Sequence, residues 1–266
     1  MTIRYLRRQI RYLPMCLVIL ACWSCLGFAQ RNNPVVSLPP ELDTVLGDSS
    51  SWWMQNSWHF NVYGRPLSRV YQDFNLITDS LEKHLEHVTK RLNIRNAGLI
   101  SWYGFPDSLP SKQGIAKAYT EIGIVTSVYN DTLRSFATVQ VTQVILGRSW
   151  GTPKSRFMSD GMAAAMEGWV GFGKSRQRVR DVVQTLAAHG KIPSIGRLIK
   201  EFDKYPANES TAVAGSFLDF LLGKYGVAPL KAIYILAKGE DFAAMFEEVY
   251  GRKLSVVEQD WLKTIR

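Results

Sequence analysis

The chain has 266 residues, 46% hydrophobic and 12% aromatic, which suits one sizeable core or two small ones and is too apolar for a disordered chain. With 20 Gly, 11 Pro and 3 Cys it is neither collagen-like, low-complexity nor a disulfide scaffold. The formal charge of +9 invites a nucleic-acid reading, which the N-terminus weakens.

Residues 1–29 contain no acidic residue. Arg4, Arg7, Arg8 and Arg11 precede an apolar run from Met15 to Leu20, and Gly27-Phe28-Ala29 places small residues ahead of Gln30. This pattern predicts a secretory signal peptide over 1–29, too short and wrongly flanked for a membrane span. Two alternatives are an uncleaved anchor helix and a lipoprotein. For the second, Ile19-Leu20-Ala21-Cys22 resembles a lipobox, and acylated Cys22 would tether the protein to a membrane. Cleavage after Ala29 removes four of the 32 basic residues and none of the 23 acidic ones, leaving a charge of +5. That is a mildly basic domain with no nucleic-acid footprint. Cys16, Cys22 and Cys25 all leave with the leader, so the mature chain has no thiol nucleophile, disulfide or cysteine metal ligand.

Residues 30–51 read as a disordered, Pro/Ser/Asn-rich lead-in to a single domain over 52–266. Trp52, Trp53, Trp58, Phe60 and Tyr63 follow; they suit either a stacking platform for a ring ligand or an edge strand with packing residues. His59 to Tyr63 alternates as a strand. Leu81, Leu85, Val88 and Leu92 place an amphipathic helix over 76–92. Strands are expected over 100–105 and 121–129, then an Asn130-Asp131 turn and a helix over about 132–146. Gly147 to Pro153 reads as a loop, and a helix begins near Ser159-Asp160. Further helices are expected over 178–188, 212–224, 228–238, 242–250 and 256–266. Strands in the first half and helices in the second make an α+β protein: a small mixed N-terminal sheet with helices, then a mostly helical half.

Four stretches together resemble the gluzincin-type metallopeptidases, in particular bacterial peptidase MA-like domains. They are Trp58 to Val62 leading into the Leu81–Leu92 helix, Thr142-Gln143-Val144-Ile145, Phe157-Met158-Ser159-Asp160-Gly161-Met162-Ala163, and Ala214 to Leu221 with Lys224-Tyr225-Gly226. The Phe242–Tyr250 helix and the terminal Glu258-x-x-Trp261 helix are also similar in style. The resemblance spans about 55–266 and implies a zincin-like fold.

It does not carry the family's chemistry with it. Two His four apart on one helix, a Glu after the first and a carboxylate on the next helix would bind and use Zn²⁺. Those places fall on Val139, Gln143, Gln140 and Asp160. Valine binds no metal, and neutral amides are poor zinc ligands and no base near neutral pH. The resemblance therefore implies a retained fold with a vestigial cleft at Val139, Gln140, Gln143 and Asp160, no metal and no cofactor. Thr211 stands about where relatives often carry an assisting tyrosine.

Other candidate sites stand beside plainer readings. His84 and His87, three apart on one helix, could share a metal or be solvent-facing side chains. Gly168 to Ser175 spells G-x-x-x-x-G-K-S, a phosphate-binding loop. That loop needs a buried strand before it, and Ala163-Ala164-Ala165 favours helix instead, with a helix from Ser175 onward. Ser159 or Ser175 with His189 could be drawn as a nucleophile pair, but no G-x-S-x-G elbow is present. Lys174, Arg176, Arg178 and Arg180 read as a solvated helix face. The expectation is an exported, envelope-associated pseudopeptidase whose cleft takes a peptide or protein. The alternatives are an active hydrolase or metallopeptidase with another site, and a nucleotide-binding protein.

Overall fold

The computed structural model describes residues 40–46, 51–109, 115–236 and 241–265. The expected leader, Cys22 within it, and residues 30–39 and 47–50 of the lead-in lie outside them.

The first described element corrects the disordered lead-in. Pro40–Leu46 is a helix, α1. Proline suits a first helical position because its missing N–H would have no partner there. Leu42 is fully buried, and Leu46 packs against a small cluster of Phe105, Leu109 and Val128.

Five strands then build one mixed sheet: β1 (Trp53–Asn56), β2 (Phe60–Gly64), β3 (Ile100–Phe105), β4 (Ala116–Tyr119) and β5 (Ile124–Val128). Their order is β1-β2-β3-β5-β4, with β2, β3 and β5 parallel and both edge strands antiparallel. The short helix α2 (Arg69–Gln72) and the long α3 (Phe74–Arg91) form the crossover from β2 to β3. Alternation decides the faces. Phe60, Val62, Ile100, Trp102 and Val125 point into the main core, where Ile77, Leu81, Leu85 and Val88 of α3 meet them. The other face carries Tyr63 stacked on Tyr103, centroids 4.2 Å apart, and Trp52 edge-on to Tyr103 and Phe105. The early aromatics thus build an edge strand and both sheet faces, while Trp58 stays 90% exposed.

The helix expected over 132–146 is displaced: α4 runs Thr138–Ser149. The backbone before it has other partners. Asn130 Oδ1 accepts from the amides of Thr132 and Leu133, Ser127 Oγ donates to the Ser135 carbonyl, and Trp102 Nε1 donates to that of Phe136. Ala137 then turns left-handed, φ 54°, and supplies no side-chain cap. At the far end Gly147 does not stop the helix. It is a point of close approach, since a Cβ there would lie 2.8 Å from Thr120 Cβ. Arg148, one residue on, donates to the Leu99 carbonyl at 2.7 Å and the Ile122 carbonyl at 3.3 Å, just ahead of β3 and β5. Burial lowers the pKa of its guanidinium.

The second half is helical. α5 (Arg156–Glu167) starts three residues earlier than expected because Ser155 Oγ caps it, accepting from the Met158 amide. A two-strand hairpin of β6 (Trp169–Val170) and β7 (Gln177–Arg178) leads to α6 (Val179–Ala188). Then come α7 (Ile195–Lys200), α8 (Ala207–Tyr225), α9 (Val227–Leu236), α10 (Phe242–Tyr250) and α11 (Leu254–Thr264). The described residues from Pro40 onward form one compact unit. Trp261 of α11 is fully buried beside Phe217, its Nε1 donating to Ser216 Oγ. Among the described residues no helix is long and apolar enough to cross a membrane.

Helices α5 and α8 meet in a close helix–helix joint. A Cβ on Gly161 would lie 2.8 Å from Ala214 Cβ, and one on Gly215 would lie 2.8 Å from Ala164 Cβ. Real side-chain atoms do not approach that closely, so hydrogen is required at both positions. Gly223, also within α8, has nothing within 4 Å of such an atom. Gly215→Val should therefore destabilise by about 2–3 kcal/mol through overpacking, whereas Gly223→Ala should stabilise by roughly 0.5–1 kcal/mol through helix propensity. Urea unfolding of the two variants checks this, and equal effects would count against the close-approach account.

Candidate functional site

Between α4 and α5 the structure brings into contact two of the four residues expected to form a vestigial site. Gln143 Nε2 donates to Asp160 Oδ1 at 3.2 Å. The rest of the Asp160 carboxylate is taken up from its own helix. Arg156, one turn earlier, approaches Oδ2 with Nε at 3.0 Å and Nη2 at 2.8 Å, and Ser159 Oγ donates to Oδ1. Arg156 also pairs with Asp203 and lies over the Phe202 ring. Partial burial disfavours the guanidinium charge, but Asp160 and Asp203 more than offset this and raise its pKa. Tyr234 of α9 is buried nearby; burial first, then the Asp160 charge, raise the pKa of its hydroxyl. Gln140 and Val139 sit on the first turn of α4. They line a cleft of about 360 Å³ between the 132–137 segment and the 167–176 segment, a cleft whose walls include neither Gln143 nor Asp160.

The histidines separate. His84 is not solvent-facing: its side chain is 10% exposed, with Nε2 2.8 Å from Thr142 Oγ1 and Nδ1 3.5 Å from Glu167 Oε1. Burial lowers its pKa and His87 adds to that; Glu167 and a hydrogen bond to the Thr138 backbone pull the other way without prevailing. His87, three residues on, is exposed, so the two share no metal position. Among the described residues no three His, Cys, Asp or Glu side chains converge as a metal site.

The other motifs resolve physically. Helix α5 stands before Gly168, which closes it in the left-handed region at φ 70°, so Gly168 to Ser175 lacks the buried strand that a phosphate cradle needs. The segment is instead the hairpin of β6 and β7 with a 3₁₀ turn at Gly173–Ser175, and α6 starts at Val179 rather than Ser175. Of the basic run only Arg180 lies on that helix. Arg176 and Arg178 instead pack over the Trp169 ring, at 4.8 and 5.3 Å from its centroid. Ser175 Oγ donates to the Phe172 carbonyl and Ser159 Oγ to Asp160, while His189 Nδ1 lies 2.7 Å from the Thr185 carbonyl oxygen, so neither serine is paired with that histidine.

No protein-family model matches the chain, and no curated protein matches it.

Three participants carried some sequence signal. Arg156 precedes Asp160 by four residues, the spacing of a helical ion pair. His84 borders the apolar stripe of Leu81, Leu85 and Val88, a position that turns inward at a helix–helix contact. Tyr234 lies in the strongly apolar segment that becomes α9. Glu167 carried none: that the last residue of α5 reaches His84 depends on the packing of α3, α4 and α5 together.

His84 makes a pH prediction. The folded protein binds its proton less readily than the unfolded chain does at the ordinary 6.5. Its contribution to stability is complete above that value and is lost as pH falls below it, with a slope of at most about 1.4 kcal/mol per pH unit. Urea midpoints at pH 7.5 and 5.5 should converge less in the wild type than in His84→Gln, which removes the titration and can keep a hydrogen bond to Thr142. Identical pH dependence in the two proteins would refute the assignment.

Proposed function

We propose that the protein is an exported cell-envelope protein with a peptidase-like fold that has lost zinc and catalysis, and that it acts by binding a peptide or protein. The observation that carries this reading is the occupation of Asp160. Its two oxygens are engaged by Arg156, Gln143 and Ser159. A guanidinium stands where a metal would have to approach, and a carboxylate so paired is a poor ligand.

The residues do not fit the zinc that the resembled family holds. Val139 has no donor atom, Gln140 and Gln143 are neutral amides, and a zinc site needs about three protein ligands. No general base stands in the place of Gln140, so a water at this position would not be activated by it. Support for export comes from the basic and apolar N-terminal stretch with its small residues before Gln30.

Elemental analysis of the purified protein should find well under one tightly held zinc per chain, and peptide substrates should be cleaved no faster with added zinc than without. Replacing Val139→His, Gln140→Glu, Gln143→His and Asp160→Glu, with Arg156→Ala to free the carboxylate, should create tight zinc binding. One zinc per wild-type chain, lost in Asp160→Ala, would overturn the reading.

A further inference from the structure

Of the five aromatics at the start of the domain, four are occupied in packing. Phe60 is in the core, Tyr63 stacks on Tyr103, Trp52 lies edge-on to Tyr103 and Phe105, and Trp53 lies edge-on to Tyr71 and Phe74. The fifth, Trp58, is 90% exposed in the turn between β1 and β2. One carboxylate of α3 nonetheless holds the backbone on both sides of it. Glu82 Oε1 accepts from Ser57 Oγ at 2.7 Å and from the His59 amide at 2.8 Å, and His59 Nδ1 lies 2.7 Å from Oε2. The Ser57 amide donates to the Phe60 carbonyl and closes the turn. The turn is thus fixed while the large ring it carries is left in water, forgoing the free energy that burial would give.

Trp58 lines a cleft of about 450 Å³, a volume within the range of small-molecule pockets. Asp79, Lys83 and Glu86 line it from α3, at the four- and three-residue spacing of one helix face, and Arg95 and Asn96 line it from the loop that follows. Asp79, Lys83, Glu86 and Arg95 are exposed, and among the described residues none of the four has a hydrogen bond or ion pair. Asn96 Oδ1 accepts from the Gly98 amide at 2.8 Å, while its own N–H groups have no acceptor among the described residues. With Glu82 committed to the turn, the remaining two carboxylates and two cations cancel. The lining favours neither an anion nor a cation, yet it mixes strong acceptors with strong donors.

We propose that this cleft binds a neutral saccharide, with one pyranose ring lying on Trp58. The C–H face of a pyranose is apolar and covers an aromatic ring. Each hydroxyl at its rim both donates and accepts, so neighbouring hydroxyls meet a carboxylate with their hydrogens and a guanidinium or ammonium with their oxygens. A cation would be opposed by Lys83 and Arg95, and an anion by Asp79 and Glu86. A wholly apolar ligand would strip water from all four charges and give nothing back. The site is separate from the Asp160 network, and it goes beyond the peptide-binding role proposed above without resting on it.

Isothermal titration of the full chain with maltotriose, cellotriose, mannotriose and triacetylchitotriose tests it. At least one of the four should bind saturably at one per chain. Trp58→Ala should weaken that binding at least roughly tenfold and Trp58→Tyr, which keeps a ring, should weaken it less. Glu86→Ala should cost about tenfold, the scale of one lost charge-assisted hydrogen bond. The melting temperatures of these variants should match the wild type, because the side chains removed are exposed. Phe172→Ala, at an exposed ring outside the cleft, should bind as the wild type does. The matching monosaccharide separates two sources of the same chemistry: equal affinity assigns a free sugar, affinity rising with chain length assigns a glycan, and both support a saccharide site. No saturable binding of any of the four, binding that survives Trp58→Ala, or equal loss in Phe172→Ala would overturn the proposal. Trp58-dependent binding of choline or inorganic phosphate more tightly than any of the saccharides would overturn it too. Zinc found in the wild type would remove the pseudopeptidase reading without touching this site.

Discussion

The architecture depends on how closely α5 and α8 approach one another. Gly161 and Gly215 face alanines across the joint, and neither position has space for a methyl group. Small residues let two helix backbones pack at short range, and the many dispersion contacts that follow fix α5 in rotation and translation. Everything else α5 carries is then held with it. Asp160 precedes Gly161 directly, so turning the glycine toward α8 swings the aspartate about 100° around the axis, toward α4.

One rigid helix consequently presents two carboxylates in opposite electrostatic conditions. Asp160 lies one turn after an arginine and beside Gln143, and its charge is balanced locally. Glu167 ends the helix, where a negative charge is disfavoured by the helix's own negative pole, and it is buried against a histidine that burial keeps from charging readily. The first arrangement is closed and structural; the second leaves an imbalance at a cleft wall. Asp160 and Gln143, two of the four residues that look like remnants of a metal site, are therefore satisfied, whereas Gln140 and Glu167 each keep a buried oxygen without a hydrogen bond.

Legibility in the sequence followed the range of the forces. The α+β order was readable because strand alternation and helical periodicity are local: β3 and α10 fall where their patterns place them, and α3 differs by two residues at its start. The shift of α4 was not readable, because it depends on Trp102, Ser127 and Asn130 taking backbone partners from the 132–136 segment. Gly147 misleads for a related reason: a helical glycine reads as a stop, while here it makes room for Thr120. The short edge strands β1 and β4 lack a strong pattern, since only one side of each is paired. For the candidate site, the contact of Gln143 with Asp160 joins two helices whose motifs could be seen separately, whereas the meeting of His84 with Glu167 joins positions 83 residues apart and leaves no mark in either neighbourhood.

Arg148 has a consequence for synthesis. It reaches back from the end of α4 to carbonyls just ahead of β3 and β5, two strands made well before it. In a chain that emerges N-terminus first, that end of the sheet lacks these two bonds until residues some fifty positions beyond Leu99 have followed. The nascent sheet is an unfinished surface for that interval, and the arginine that closes it belongs to a helix that itself needs α5 to be buried. The sheet is thus encoded first but closed at this end only by a residue of the half that follows it.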